Sequence, residues 1–319
     1  MSSRRAGNHT DDVPTDTGSD GVSARSIHPE RGGIDVFDSL LVRQPIAEGR
    51  TRAVGDLLAD WAAENGDGDA RTLLPVDGVT TVTLFLDDGE SGWTDNTGRP
   101  SQRDDALLWY IEVVDDDADA WTTPDETIRG VSPLFDGGLA DSLTDRATVR
   151  AGGRGDHRYI THVTNPHRKA RYANAVEKSL IAPVAGDELP IPIVITTLAV
   201  KAGLTSTLIA GVVDFVNWLK RFDRVQSWAR EETETVEAEA MYTESLLLEA
   251  VGDRQVVHYY METEDMDRLY EAFYESDDWK ARLSEWVIRR ALSNPETFLE
   301  PPLETDCEVL IHAVDSERP

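Results

Sequence analysis

Two histidines sit among apolar residues at matching places: His162 in HRYITHV and His312 in EVLIHAV, 150 positions apart. Two Tyr-x-Glu motifs share that separation, Trp109-Tyr110-Ile111-Glu112 and Tyr259-Tyr260-Met261-Glu262. In an extended strand alternate residues share a face, so His258, Tyr260 and Glu262 form one set and Leu108, Tyr110 and Glu112 the other. Beside a buried tyrosine, a carboxylate can act as general base and proton donor on an acidic phenol or enol. A buried imidazole can ligate haem iron or a divalent metal, or shuttle a proton. The catalytic candidates are therefore Tyr260, Glu262 and His258; the ligand-binding candidates are His312, His162, Tyr110 and Glu112. Each has a plainer reading as well. The tyrosines can be core residues with bonded hydroxyls, the glutamates can sit at wet strand ends, and the histidines can be hydrogen-bonded core groups. No HxH or HxxxH pattern accompanies either histidine, so no metal set is assigned.

Other chemistry is missing from the pattern. Cys307 is the sole cysteine, which rules out an intramolecular disulfide and a thiolate cluster within one chain. It precedes an apolar run and reads as a half-buried, inert thiol. The Gly-Gly pairs lack a Walker or dinucleotide fingerprint, and no serine lies in a nucleophile elbow. Acidic residues number 60 against 31 basic ones, a formal charge of -29. Such a surface repels phosphate, so nucleic acid is not expected as a partner. The densest basic run, His167-Arg168-Lys169-Ala170-Arg171, reads as a solvated linker helix. Lysine is scarce and acid is scattered along the chain. This pattern fits a halophilic protein, because molar salt shortens the Debye length to about 3 Å and screens the self-repulsion.

These side chains need elements to hold them. Residues 1–33 are polar and read as a disordered acidic tail. In residues 34–165 the order is a strand at 36–46, a helix at 49–64, strands at 79–86 and 107–114, a helical region at 115–148, and a strand at 157–163. Residues 166–189 form a linker, helical in part. In residues 190–315 the order recurs: a strand at 193–200, a helix from 205, a hairpin of 240–249 with 255–262, a helical region at 264–292, and a strand at 308–314. The most apolar stretch, 191–219, is interrupted by Lys201 and Asp214, so no membrane span is expected. Arg4-Arg5 lacks the apolar run that an export signal needs. Cytoplasmic location follows as the expectation.

The order β-α-β-β-α-β, twice, predicts an α+β fold of two ferredoxin-like repeats, each a four-stranded antiparallel sheet with helices on one face. Val42-Arg43 and Val200-Lys201 are read as a further matching pair. The bare sheet faces would cover each other within one chain, allowing a monomer. This arrangement resembles the dimeric α+β barrel superfamily, which includes the antibiotic biosynthesis monooxygenase-like domains. Val257 to Glu262, followed by Asp265-Met266-Asp267-Arg268-Leu269-Tyr270-Glu271-Ala272-Phe273, resembles a haloarchaeal domain family of unknown function within that group. The resemblance implies a small-molecule pocket protein, oxygenase-like or haem-handling, with Tyr260, Glu262, His258 and His312 in the lumen. The alternative is a non-catalytic ligand sensor or structural module.

Overall fold

In the computed structural model, residues 37–65, 74, 79–88, 105–114, 148–150, 158–165, 167–175, 180–181, 189–201, 240–251, 254–269, 288–293, 295–296, 307–316 and 318 are described. They fall within one unit, Asp35–Pro319. The expected tail lies outside the described residues, as do most of the helical regions expected at 115–148, 205–229 and 264–292.

β1 (Phe37–Pro45) leads through a tight turn to α1 (Thr51–Asn65). Gly49 takes a φ of 74° in that turn, a conformation glycine adopts without steric cost. Val54, Leu58 and Ala62 recur every fourth residue, so α1 presents one buried face. That face packs on Val42, Val82, Leu84, Trp109 and Ile111 of the sheet below. β2 (Val79–Asp87) and β3 (Ala106–Val114) follow, then a short β4 (Thr148–Arg150), β5 (Arg158–Thr164), α2 (Arg168–Ala175) and a short β6 (Leu180–Ile181). β7 (Ile193–Ala199), the hairpin of β8 (Met241–Val251) with β9 (Arg254–Thr263), and β10 (Cys307–Val314) complete the strands among the described residues. β4 and β6 are additions to the expected list.

Among the described residues all paired strands are antiparallel. One sheet has the order β4-β1-β3-β2-β10-β6, and the other β5-β8-β9-β7. This corrects the expectation of a separate four-stranded sheet in each half. β5 leaves the strands that precede it and pairs with β8, while β10 leaves β8 and β9 and pairs with β2. Alternation fixes which face of a strand is buried, but both β2 and β8 offer a suitable edge to either strand. The ladder irregularities recur at matching positions, between Tyr159/Thr161 and Val309/Ile311, and between Val79/Thr81 and Met241/Thr243. The register also revises one detail. Arg43 pairs with Leu108 and Thr197 with His258, so Arg43 corresponds to Thr197 and not to Lys201.

A layer of buried side chains lies between the sheets, including Phe85, Leu108, Tyr110, Ile195, Leu247 and Tyr260. The outer face of the second sheet carries its own cluster, with Val194, Val257, Tyr259, Met261 and Leu269. The candidate residues Tyr110 and Tyr260 therefore point between the sheets, and their neighbours Trp109, Tyr259 and Met261 point away. No helix among the described residues is long and apolar enough to cross a membrane.

Candidate functional site

Alternation along β3 and β9 turns two tyrosines and two glutamates into the space between the sheets. The rings of Tyr110 and Tyr260 stack there with centroids 3.6 Å apart and planes 10° from parallel. Glu112 and Glu262, two residues along, are fully buried. The reading of these glutamates as wet strand ends is corrected. What makes their burial tolerable is a pair of arginines, because a buried charge needs a partner and hydrogen bonds.

Arg168 Nη2 donates to Glu112 Oε1 at 2.5 Å and Nη1 to Thr243 Oγ1 at 2.9 Å. Arg318 forks onto Glu262, with Nη1 donating to Oε2 at 2.9 Å and Nη2 to Oε1 at 2.8 Å. Arg318 Nη1 also reaches Thr81 Oγ1 at 3.1 Å. The reading of Arg168 as part of a solvated linker is corrected: it opens α2 and is completely buried. Burial alone would raise both carboxyls. Their charged partners together outweigh it, and both glutamates are held below the usual carboxylate range: Arg168, Arg318 and His162 act on Glu112, and Arg318 and His312 on Glu262.

The histidines join through hydroxyls. His162 Nδ1 lies 2.7 Å from Ser245 Oγ, which is 2.8 Å from Tyr110 Oη. His312 Nδ1 lies 2.9 Å from Thr83 Oγ1, which is 3.4 Å from Tyr260 Oη. The two relays correspond group by group. They differ in surroundings: His162 is half-buried, whereas His312 is fully buried and its Nε2 meets Tyr172 Oη at 2.9 Å. Burial and the adjacent glutamates push the hydroxyls of Tyr110, Tyr260 and Tyr172 well above the ordinary tyrosine value.

His258 shares the inter-sheet layer and belongs to another group. Its Nδ1 is 3.1 Å from Thr197 Oγ1, and its Nε2 contacts Glu249 Oε2. Arg43 from the opposite sheet lies 3.4 Å from Glu249 by its Nε and donates from Nη1 to Asp87 Oδ2 at 2.8 Å. Cys307 stands across the ladder from Asp87 and is buried. The structure thus brings Tyr110, Glu112, Tyr260, Glu262, His162 and His312 into one network and places His258 in a second.

Neither buried histidine is disposed to hold haem. Both ring nitrogens of His312 and of His258 already have partners, and an axial bond to iron would break one of them. Arg168, Arg318, Ser245, Thr83 and Tyr172 were not foreseen as parts of the network. A signal for the arginines existed, since Arg168 follows His162 by six positions and Arg318 follows His312 by six.

Comparison with known proteins adds little. No family model matches the chain, and no curated protein does. Among solved structures, a putative monooxygenase from Fusobacterium nucleatum subsp. nucleatum is 8% identical, with a TM-score of 0.37, over 88% of this chain and 93% of that one. A putative monooxygenase from Lactobacillus acidophilus is 7% identical, with a TM-score of 0.34, over 87% and 94%. Likeness at that level says nothing of substrate or mechanism. What the chain itself presents is a mixed α+β fold with two antiparallel sheets around a buried Tyr-Glu-Arg-His network.

Proposed function

We propose that this chain is a self-paired α+β barrel whose two repeats, residues 34–165 and 190–315, complete each other, and that it serves as a non-catalytic binding or interaction module. The inter-sheet network is then a structural core. The observation that carries this reading is that the network's acid-base groups are committed to one another. Each glutamate is ionised against a buried arginine, which makes it a weak base. The three tyrosines keep their protons, and their hydroxyls bond to Ser245, Thr83 and His312. The rings of Tyr110 and Tyr260 stack on each other between the sheets and so fill that part of the layer with side chains.

The repeat reading is supported by the paired bonds and by irregularities that fall at the same separations. Exchange of the last strands gives the pairing a physical cause, since each half supplies a strand to the other's sheet. The acidic composition supports a halophilic protein without a nucleic-acid partner, and the pairing of the two repeats supports a monomer, with a small molecule or another protein as partner.

The oxygenase-like reading has one observation of its own. The half-buried His162 leads through Ser245 to Tyr110, a chain of hydrogen bonds from near the surface to the stacked rings. Two titrations in molar KCl separate the readings: haem, followed in the Soret region, and a panel of phenols and quinols, followed by dissolved-oxygen uptake. The structural reading expects no Soret shift and no uptake above the blank. Turnover, or a stoichiometric haem spectrum, would sink it.

A further inference from the structure

The two hydroxyl relays cross from one sheet to the other. Ser245 stands opposite Tyr260 in the β8–β9 ladder, yet its hydroxyl lies 2.8 Å from Tyr110 Oη on the other sheet. Thr83 stands opposite Tyr110 in the β2–β3 ladder, yet its hydroxyl lies 3.4 Å from Tyr260 Oη. Each of these hydroxyls has a histidine beside it on the next strand: His162 is opposite Ser245, and His312 is opposite Thr83. The two phenols, stacked 3.6 Å apart, therefore each have an imidazole one hydroxyl away.

The relays are unequal. From Tyr110 the contacts are 2.8 and 2.7 Å and end on the half-buried His162. From Tyr260 they are 3.4 and 2.9 Å and end on the fully buried His312, whose Nε2 already meets Tyr172 Oη at 2.9 Å and stands 3.6 Å from Glu262 Oε1. A proton leaving a phenol thus has its shorter path, and the one ending nearer to solvent, at Tyr110. Nothing draws it off in the resting state, because burial and then Glu112 hold that hydroxyl well above the ordinary tyrosine value. Loss of an electron reverses this, since the radical cation of a phenol is a strong acid. A serine hydroxyl can accept on one side while it donates on the other.

We propose that Tyr110 is a one-electron donor whose proton acceptor is His162, reached through Ser245. An outer-sphere one-electron oxidant takes one electron from the Tyr110 ring. The phenolic proton passes to Ser245 Oγ as the Ser245 proton passes to His162 Nδ1. The products are a neutral tyrosyl radical, an imidazolium and the reduced oxidant; return of the electron and the proton restores the start. The stacked Tyr260 ring spreads the positive charge while the proton is in flight. Electrons cross packed side chains without an opening, so the oxidant stays outside the layer and only hydrogen bonds carry the proton. Full burial of both rings keeps a second radical away from the product. The site donates stoichiometrically and does not turn over a substrate. It therefore goes beyond the structural reading of the network, which stands whether or not the donor exists.

The test uses the full chain in molar KCl with photogenerated tris(bipyridine)ruthenium(III) as oxidant. Formation is followed by transient absorption, and samples frozen after the flash are read by electron paramagnetic resonance. The wild type is expected to give a tyrosyl radical that outlives the radical of N-acetyltyrosinamide in the same buffer. Tyr110→Phe should lose this long-lived signal, and Tyr259→Phe, whose ring belongs to the outer cluster, should keep it. Ser245→Ala should slow formation on the order of a hundredfold, the scale of a positioned proton acceptor. Ser245→Thr should restore it, since Thr83 fills the same place in the other relay. A long-lived signal that survives Tyr110→Phe, or an unchanged rate in Ser245→Ala, overturns the proposal. Should those variants not fold, the wild type decides: a radical that decays as fast as that of N-acetyltyrosinamide overturns it.

Discussion

Arg318→Ala is expected to lower the unfolding free energy by about 3–5 kcal/mol, and Arg168→Ala by a similar amount, because each removes one partner of a buried ion pair and strands the other. Glu262 loses both bonds of its fork, and Glu112 loses its 2.5 Å contact with Arg168. Arg318→Lys should fall between wild type and Arg318→Ala, keeping charge but not the two-pronged geometry. Adding Glu262→Gln to Arg318→Ala should cost less than the sum of the two single changes, since the residues share one interaction. Urea denaturation in molar KCl measures the wild type, the four single variants and the double variant. A loss within about 0.5 kcal/mol for either arginine, the range of ordinary surface substitutions, would mean that the pairs do not hold the sheets together.

Stability should fall steeply in acid. Glu112 and Glu262 have folded-state values below the usual carboxylate range, so the stability they contribute is present above the unfolded-state value of about 4.3 and is lost as pH drops through the folded values. From about pH 5 downward the melting temperature should decline, with Glu262→Gln showing a shallower slope than wild type. An alkaline limb has the opposite origin. Tyr110, Tyr172 and Tyr260 are raised, so their contribution holds below the unfolded value of about 10 and disappears as pH climbs through the folded values. Equal acid slopes for wild type and Glu262→Gln would show that Glu262 is not the group being titrated.

Much of the architecture could be read from local pattern. The strand run at 79–86 and the hairpin of 240–249 with 255–262 are legible locally, and the shared separation of Tyr110 with Tyr260 and of His162 with His312 identifies corresponding positions. Strand exchange could not be read this way. The alternation in EVLIHAV tells which side of β10 is buried, and that side would be buried equally well beside β8 or β2. Closure of the two sheets decides it, and no short window of residues contains that information. Arg168 was hidden for another reason. Its neighbours His167, Lys169 and Ala170 are exposed, so a buried arginine sits inside a run that looks solvated. His258 shares a face with Tyr260 as alternation requires, but its partner Glu249 comes from the facing arm of the hairpin and draws it into a separate group.

If each half lends its last strand to the other, neither half can close alone. Fragments 35–181 and 189–319, purified separately and together in molar KCl, test this by circular dichroism and sedimentation. The expected result is that neither fragment is a folded monomer and that mixing them restores a folded one-to-one complex. A fragment that sediments by itself as a folded monomer would contradict the pairing on which the whole account rests.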